Sequence, residues 1–474
     1  MIFHSLDFAA FFVITLGAYW LLPVRGQNVL LLIASYVFYG WVHAWWPVLL
    51  FITTFVDYWA ARSMTPATET GSKRRKLWLW LSIGSNLGLL GFYKYFGFFV
   101  ENVAIAGATI GWHTPEIALQ IMLPAGISFY TFQSMSYTID VYRGHAPART
   151  SLVDVAAFVS FFPHLVAGPI MRATNLLPQF ERGRRFDPAA ARDAMLLIVW
   201  GLFKKLVIAD NVGVIANKVF GLESPEFFVL WAGVFAFAIQ IYADFSAYTD
   251  IARGVAKWYG FDLITNFERP YLATGPADFW RRWNISLSTW FRDYLYIPLG
   301  GSRAGKWREA RNILITFLAS GFWHGASWNY VLWGAYHGGL LMLGRFTPGV
   351  VVAPRVIRVA GMFVLTCIGW LIFRETELAQ LQRYALLSPW ETTGLGRSAG
   401  LYLFLLVALY SIPLWIHDIW GEMHAPDLSE AIDRPEPIVR WPRVATQAAL
   451  CGLMVAAILT LRSQTTLDFI YFAF

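Results

Sequence analysis

Residues 278–303 read DFWRRWNISLSTWFRDYLYIPLGGSR, and residues 321–336 read GFWHGASWNYVLWGAY. The first piece holds Asp278, Arg281, Arg282, Arg292 and Asp293 and ends at Arg303; the second holds one histidine, His324. Long apolar runs flank both. A charge or an imidazole at membrane depth is expensive, so by default it marks a working site. Residues 277–299 are amphipathic and too charged to cross a bilayer facing lipid. A re-entrant or cavity-lining helix fits them better. His324 falls well inside the apolar run 312–343.

Composition agrees with a membrane setting. Hydrophobic residues make up 57% of the 474, charged residues 14%, and mean hydropathy is +0.49. A soluble domain carries about 25% charged residues, so the chain reads as an integral membrane protein. Its 23 Trp and 21 Tyr suit interfacial belts. The net charge of +7 fits basic cytoplasmic loops and anionic headgroups. No basic run lies outside the membrane framework, which argues against nucleic acid as a partner. Cys367 and Cys451 sit in apolar segments with neither metal-ligand nor disulfide spacing. They read as buried small hydrophobes.

Spans are expected at 6–22, 28–42, 45–61, 77–99, 227–248, 312–343, 356–373, 400–416 and 445–461. The first lacks a basic leader and a cleavage site, so it reads as a retained helix. Lys73, Arg74, Arg75 and Lys76 mark a cytoplasmic loop and put the N-terminus outside. Ser, Thr and Gln recur at helical spacing in 124–142, a face turned to protein or water. FFPHLVAGPI, within 153–170, breaks any regular helix and needs protein or a cavity around it. Lys204 and Lys205 read as snorkelling residues or contacts to an anionic ligand. Asp244 and Asp250 fall at or near the end of their span, close to an interface.

His324 admits two readings: a general base acting on a hydroxyl, or a structural histidine between helices. Asn284 lies forty residues earlier. Its amide can stabilise an oxyanion or simply join two helices. Arg281, Arg282 and Arg292 can grip phosphates, or snorkel and pair with Asp278 and Asp293. For Arg292 and Asp293 the pairing is preferred. His337 and His164 read as structural or cavity-lining. No nucleotide loop, zinc motif or Ser–His–Asp elbow stands out.

Six pieces together carry a resemblance: SFYTFQSMSYTIDVYRG, FFPHLVAGPI, DFSAYTDIARGVAKWYGF, NFERPY, DFWRRWNISLSTWFRDYLYIPLGG and FWHGASWNYVLWGAYHG. With them, the chain resembles the membrane-bound O-acyltransferase superfamily, in particular its bacterial alginate O-acetyltransferase branch. The resemblance covers essentially the whole chain. It implies an all-α polytopic fold with roughly nine to twelve membrane helices. Short and re-entrant helices would surround a central tunnel. A single domain would span 1–474, with a catalytic core at about 124–345.

The resemblance further implies His324 as base and Asn284 as the second catalytic residue. Many bacterial members have histidine where this chain has Asn284, which weakens a two-histidine mechanism. Donor contacts would come from Arg281, Arg282, Trp283, Ser288 and Trp323. The donor would be cytoplasmic acetyl-CoA, with no bound cofactor or metal. Acetyl would leave on the outer side of the inner membrane, through periplasmic partner proteins, for a polysaccharide of alginate, cellulose or peptidoglycan type. The ending FIYFAF suggests that Tyr471 relays acetyl; an aromatic interfacial anchor is the other reading. Acylation of a lipid or a D-alanyl acceptor is an alternative within enzymes. A transporter is the alternative outside them, and it requires a midplane carboxylate, which the sequence does not reveal.

Overall fold

The computed structural model describes residues 1–65, 72–111, 122–303, 305–346, 353–424, 441–465, 467, 469 and 470. Among them every regular element is a helix. The elements fall into two compact units: Met1–Ala194 with Ala252–Ile264, and Met195–Ile251 with Thr265–Phe474.

The first unit holds α1 (Leu6–Trp20), α2 (Val24–Gly40), α3 (Trp46–Ser63), α4 (Lys73–Leu90), α5 (Phe96–Thr109), α6 (Ile127–Arg143), α7 (Leu152–Ser160) and α8 (Ala173–Glu181). Side-chain caps begin several of them: Ser5, Ser72 and Ser151 each accept a first-turn N–H. The basic group 73–76 is the first turn of α4, not a loop as expected. Its Arg75 is buried and donates to Val141 O and Tyr142 O, at the carbonyl end of α6. The polar period of α6 faces protein. Ser134, with Ser82 and Asn86 of α4, donates to the buried Asp57 of α3. After α7 the chain is irregular, as the prolines of FFPHLVAGPI require. His164 is buried there, 5.6 Å from the Phe161 ring.

Helix α9 (Pro188–Phe203) begins in the first unit and ends in the second, where a π-helical turn, Lys204–Ala209, follows it. The second unit continues with α10 (Asp210–Phe220) and most of α11 (Phe227–Trp258), whose last turns from Ala252 belong to the first unit, and then holds α12 (Pro276–Arg282), α13 (Ile285–Phe291), α14 (Lys306–His324), α15 (Trp328–Phe346), α16 (Arg355–Arg374), α17 (Leu378–Ala385), α18 (Gly394–Met423) and α19 (Trp441–Leu461). Among the described residues, four segments are long and apolar enough to cross a membrane: α11, α16, α18 and, within α19, Val444–Leu461.

Three expectations are corrected here. Helix α11 runs for 32 residues, so Asp244 and Asp250 lie inside it instead of near an end. Lys204 and Lys205 do not snorkel: both are buried, paired with Asp250 (2.7 Å) and with Asp210 and Asp244 (2.9 and 3.1 Å). A charge among apolar residues looks like a terminus by hydropathy, whereas a buried partner lets the helix continue. Finally, run 312–343 is not one span. It folds back at residues 325–327, and His324 is the last residue of α14 instead of a mid-span residue.

Close packing fixes that end of α14. A Cβ on Gly321 would stand 2.1 Å from Tyr330 O, and one on Gly334 would stand 2.3 Å from Phe317 O. Glycine at both positions lets α14 and α15 approach backbone to backbone. Gly321→Ala is expected to destabilise the protein by about 1–3 kcal/mol, as overpacking does. A drop in the detergent-solubilised melting temperature checks this; an unchanged value would contradict the packing.

Candidate active site

The small cavity at the end of α14 is lined by Ile241 and Phe245 of α11, Phe267, Trp283, Asn284, His324, Trp333 of α15, and Trp370 and Phe373 of α16. The His324 ring lies 5.1 Å from the rings of Trp323 and Trp333 and 5.3 Å from Phe373, edge to face in each case. His324 and Asn284 are both buried. The cavity is about 10 Å³, roughly the room of one water. Anything larger than a water enters only if the aromatic lining moves.

Asn284 joins α12 to α13 in the left-handed region, at φ 41° and ψ 57°. Asparagine is enriched there among non-glycine residues. Asn266 holds the bend in place: its backbone carbonyl accepts from Ile285 N and its Oδ1 from Ser286 N, each at 2.9 Å. Asn284 Oδ1 is buried with no hydrogen-bond partner among the described residues. A buried, unmet acceptor is costly, and together with the strained backbone it points to function.

A second, larger cavity of about 1300 Å³ adjoins these same helices. Ile313, Thr316, Phe317 and Ser320 of α14 line it. His324 continues this stripe, four residues beyond Ser320, so one face of α14 runs from the large cavity to the small one. Arg269, Arg281, Arg282, Arg292 and Arg345 also line the large cavity. Arg282 is tied down, its guanidinium 3.0 Å from both Asp278 and Glu422. Burial alone would raise the Asp278 carboxyl, but the Thr274 N–H and Arg282 outweigh it and hold it below the usual carboxylate range. Arg269 and Arg355 converge on Glu422 as well. Arg281 is mostly exposed, and its Asp278 contact is a loose 3.7 Å. It is the more available guanidinium of the neighbouring pair.

Residues 31–374 match the family model for the membrane-bound O-acyltransferase family. The chain belongs to that family. It is 38% identical, across the whole of both chains, to a protein of Pseudomonas syringae pv. tomato named probable alginate O-acetylase AlgI. A peptidoglycan O-acetyltransferase of Helicobacter pylori is 33% identical over 78% of this chain and 76% of its own length. A teichoic acid D-alanyltransferase of Bacillus subtilis is 27% identical over 49% of this chain and 61% of its own. The protein is therefore a multi-pass membrane enzyme, an O-acyltransferase.

The sequence-derived candidates fall into separate places in this O-acyltransferase. Trp283, Asn284 and His324 meet at the small cavity. Arg281, Arg282 and Ser288 line the large one. Trp323 lines neither but packs on His324. Arg292 pairs with Asp293 at 2.8 Å, as preferred. His337 is buried among Phe279, Trp280 and Trp333. Tyr471 lies outside the described residues.

Sequence reasoning missed the roles within NFERPY. Asn266 clamps the Asn284 bend, Phe267 walls the small cavity, and Arg269 joins the Glu422 cluster. Tyr271 accepts from Trp370 Nε1 at 3.0 Å and donates to Ala238 O. The motif itself was the available signal. The sequence reveals no midplane carboxylate for a transporter; the carboxylates that the structure buries include Asp57, Asp210 and Asp244. Asp57 accepts from neighbouring side chains, and the other two face Lys205.

Proposed function

We propose that the enzyme transfers acetyl from cytoplasmic acetyl-CoA, across a bacterial inner membrane, for O-acetylation of an exported polysaccharide. The observation that carries this reading is the face of α14, which lines an arginine-bearing cavity of about 1300 Å³ and ends in His324. The volume exceeds the ~300–1,000 Å³ of ordinary small-ligand pockets, as a donor the size of a coenzyme thioester needs. Arg281 is the guanidinium placed to meet its phosphates. The acetylase likeness covers both chains in full and the D-alanyltransferase likeness only 49% of this chain and 61% of the other, which favours acetyl over D-alanyl.

In this mechanism the acceptor hydroxyl donates to Asn284 Oδ1 or to His324. His324 takes its proton as the oxygen attacks the thioester carbonyl. The Asn284 amide N–H can stabilise the oxyanion. The C–S bond then breaks, and the coenzyme thiolate leaves and takes a proton. The first acceptor is the Tyr471 hydroxyl, which passes acetyl to periplasmic partner proteins and thence to an alginate-, cellulose- or peptidoglycan-type polymer.

Two readouts on the purified full chain test this. Acetyl-CoA is expected to bind, and free CoA to appear when periplasmic partner proteins are added. Mass spectrometry is expected to find acetyl on the C-terminal peptide of wild type and none on that of Tyr471→Phe. Failure to bind acetyl-CoA would overturn the donor; equal acetylation of both peptides would overturn the relay.

A further inference from the structure

Three buried ionisable side chains take no part in the chemistry above. Lys205 Nζ lies 2.9 Å from Asp210 and 3.1 Å from Asp244, and all three side chains are at least nine-tenths buried. One ammonium facing two carboxylates is a poor way to fill a protein interior, because buried charge is stable only when its hydrogen-bonding needs are met. Part of that need is met by the main chain of the C-terminal segment. Lys205 Nζ donates to Leu467 O at 3.0 Å, and Ile470 N–H donates to Asp244 Oδ2 at 2.7 Å.

The surroundings are shaped for the same segment. A Cβ on Gly213 would stand 2.6 Å from Leu467 Cδ1, so glycine leaves that seat open. Phe469 and Ile470 are buried. The Phe469 ring lies 5.1 Å from Phe245 and 5.0 Å from Tyr248, both on α11. Phe245 also lines the cavity of His324 and Asn284. One side chain thus touches the C-terminal segment and walls the acyl-transfer cavity.

We propose that Lys205, Asp210 and Asp244 are positioning residues, a receptor for peptide backbone that seats Leu467, Phe469 and Ile470 against the wall of the transfer cavity. An ammonium that donates to a peptide carbonyl and a carboxylate that accepts from a peptide N–H recognise main chain. The Phe469 ring then sets the register. The contribution to transfer rests on the acyltransferase reading above; the seating does not.

Carboxypeptidase Y digestion of the purified full-length protein, read by mass spectrometry, tests the seat without donor or acceptor. Wild type is expected to stall at Ile470. Lys205→Met and Ile470→Pro are expected to be digested past Leu467 about tenfold faster, the scale of losing one hydrogen bond to a charged group. Lys205→Arg restores the stall. Ile470→Pro removes one N–H and leaves the three charged residues intact, so it decides the matter if Lys205→Met fails to fold. Equal digestion of wild type and Ile470→Pro overturns the seat.

Turnover then separates positioning from bulk stability. Ile470→Pro is expected to lower kcat about tenfold with the KM for acetyl-CoA unchanged. Asp244→Ala should cost less in that background than alone, because one of the bonds it removes, that from the Ile470 N–H, is already gone. Losses that multiply, or an unchanged kcat with the segment released, overturn the positioning role. No transfer by wild type, with the digestion pattern as expected, counts against the acyltransferase reading and for the seat.

Discussion

His324→Ala is expected to lower acetyl transfer by about 10²–10⁴-fold, the usual contribution of a general base, while acetyl-CoA still binds. The two effects separate because the positions separate. The donor-sized cavity is lined by Ile313, Thr316, Phe317 and Ser320, and His324 lies beyond them at the end of the same helix. Removing the imidazole leaves the arginines and the α14 stripe intact. Calorimetric titration with acetyl-CoA and a transfer assay on the same preparation check both halves. Full transfer by His324→Ala would remove the base from the mechanism. Lost binding with normal turnover of bound donor would move His324 into donor recognition.

Asn284 carries the second large effect, and here backbone and side chain must be told apart. Asn284→Gly keeps the left-handed bend available and deletes the amide. It is expected to lower kcat by about 10²–10³, the scale for one oxyanion-hole donor, with the melting temperature little changed. Asn284→Ala deletes the same amide and places a Cβ residue at φ 41°, which adds about 1–2 kcal/mol of backbone strain. The alanine variant should therefore be the less stable of the two at similar activity. Equal stability would mean that the bend relaxes. Near-normal kcat in the glycine variant would leave Asn284 a structural residue.

Much of this site was legible because its signals are local. The His324 imidazole in its apolar run stands out by type alone, Asn284 is singled out as catalytic only through the family resemblance, and the prolines of FFPHLVAGPI announce a break that the backbone shows after Ser160. What stayed hidden depends on partners distant in sequence. Arg282 meets Glu422 across 140 positions, and Ile470 meets Asp244 across 226. Hydropathy cannot register such pairs, so it shortened α11 at Asp244 and Asp250 and offered Lys204 and Lys205 as snorkelling residues or ligand contacts. It also passed over the fold-back after His324. Gly325 is extended there, at φ −166° and ψ 156°, inside a stretch whose composition never changes.

The central claim is that His324 and Asn284 act as one unit on an acyl group entering their shared cavity. Single-turnover acetyl transfer at saturating acetyl-CoA, for wild type, His324→Ala, Asn284→Gly and the double variant, tests it most directly. Groups that work together on one transition state lose their effect together, so the double variant is expected to be no slower than His324→Ala alone. Losses that multiply in the double variant would show two residues acting independently and would contradict the account.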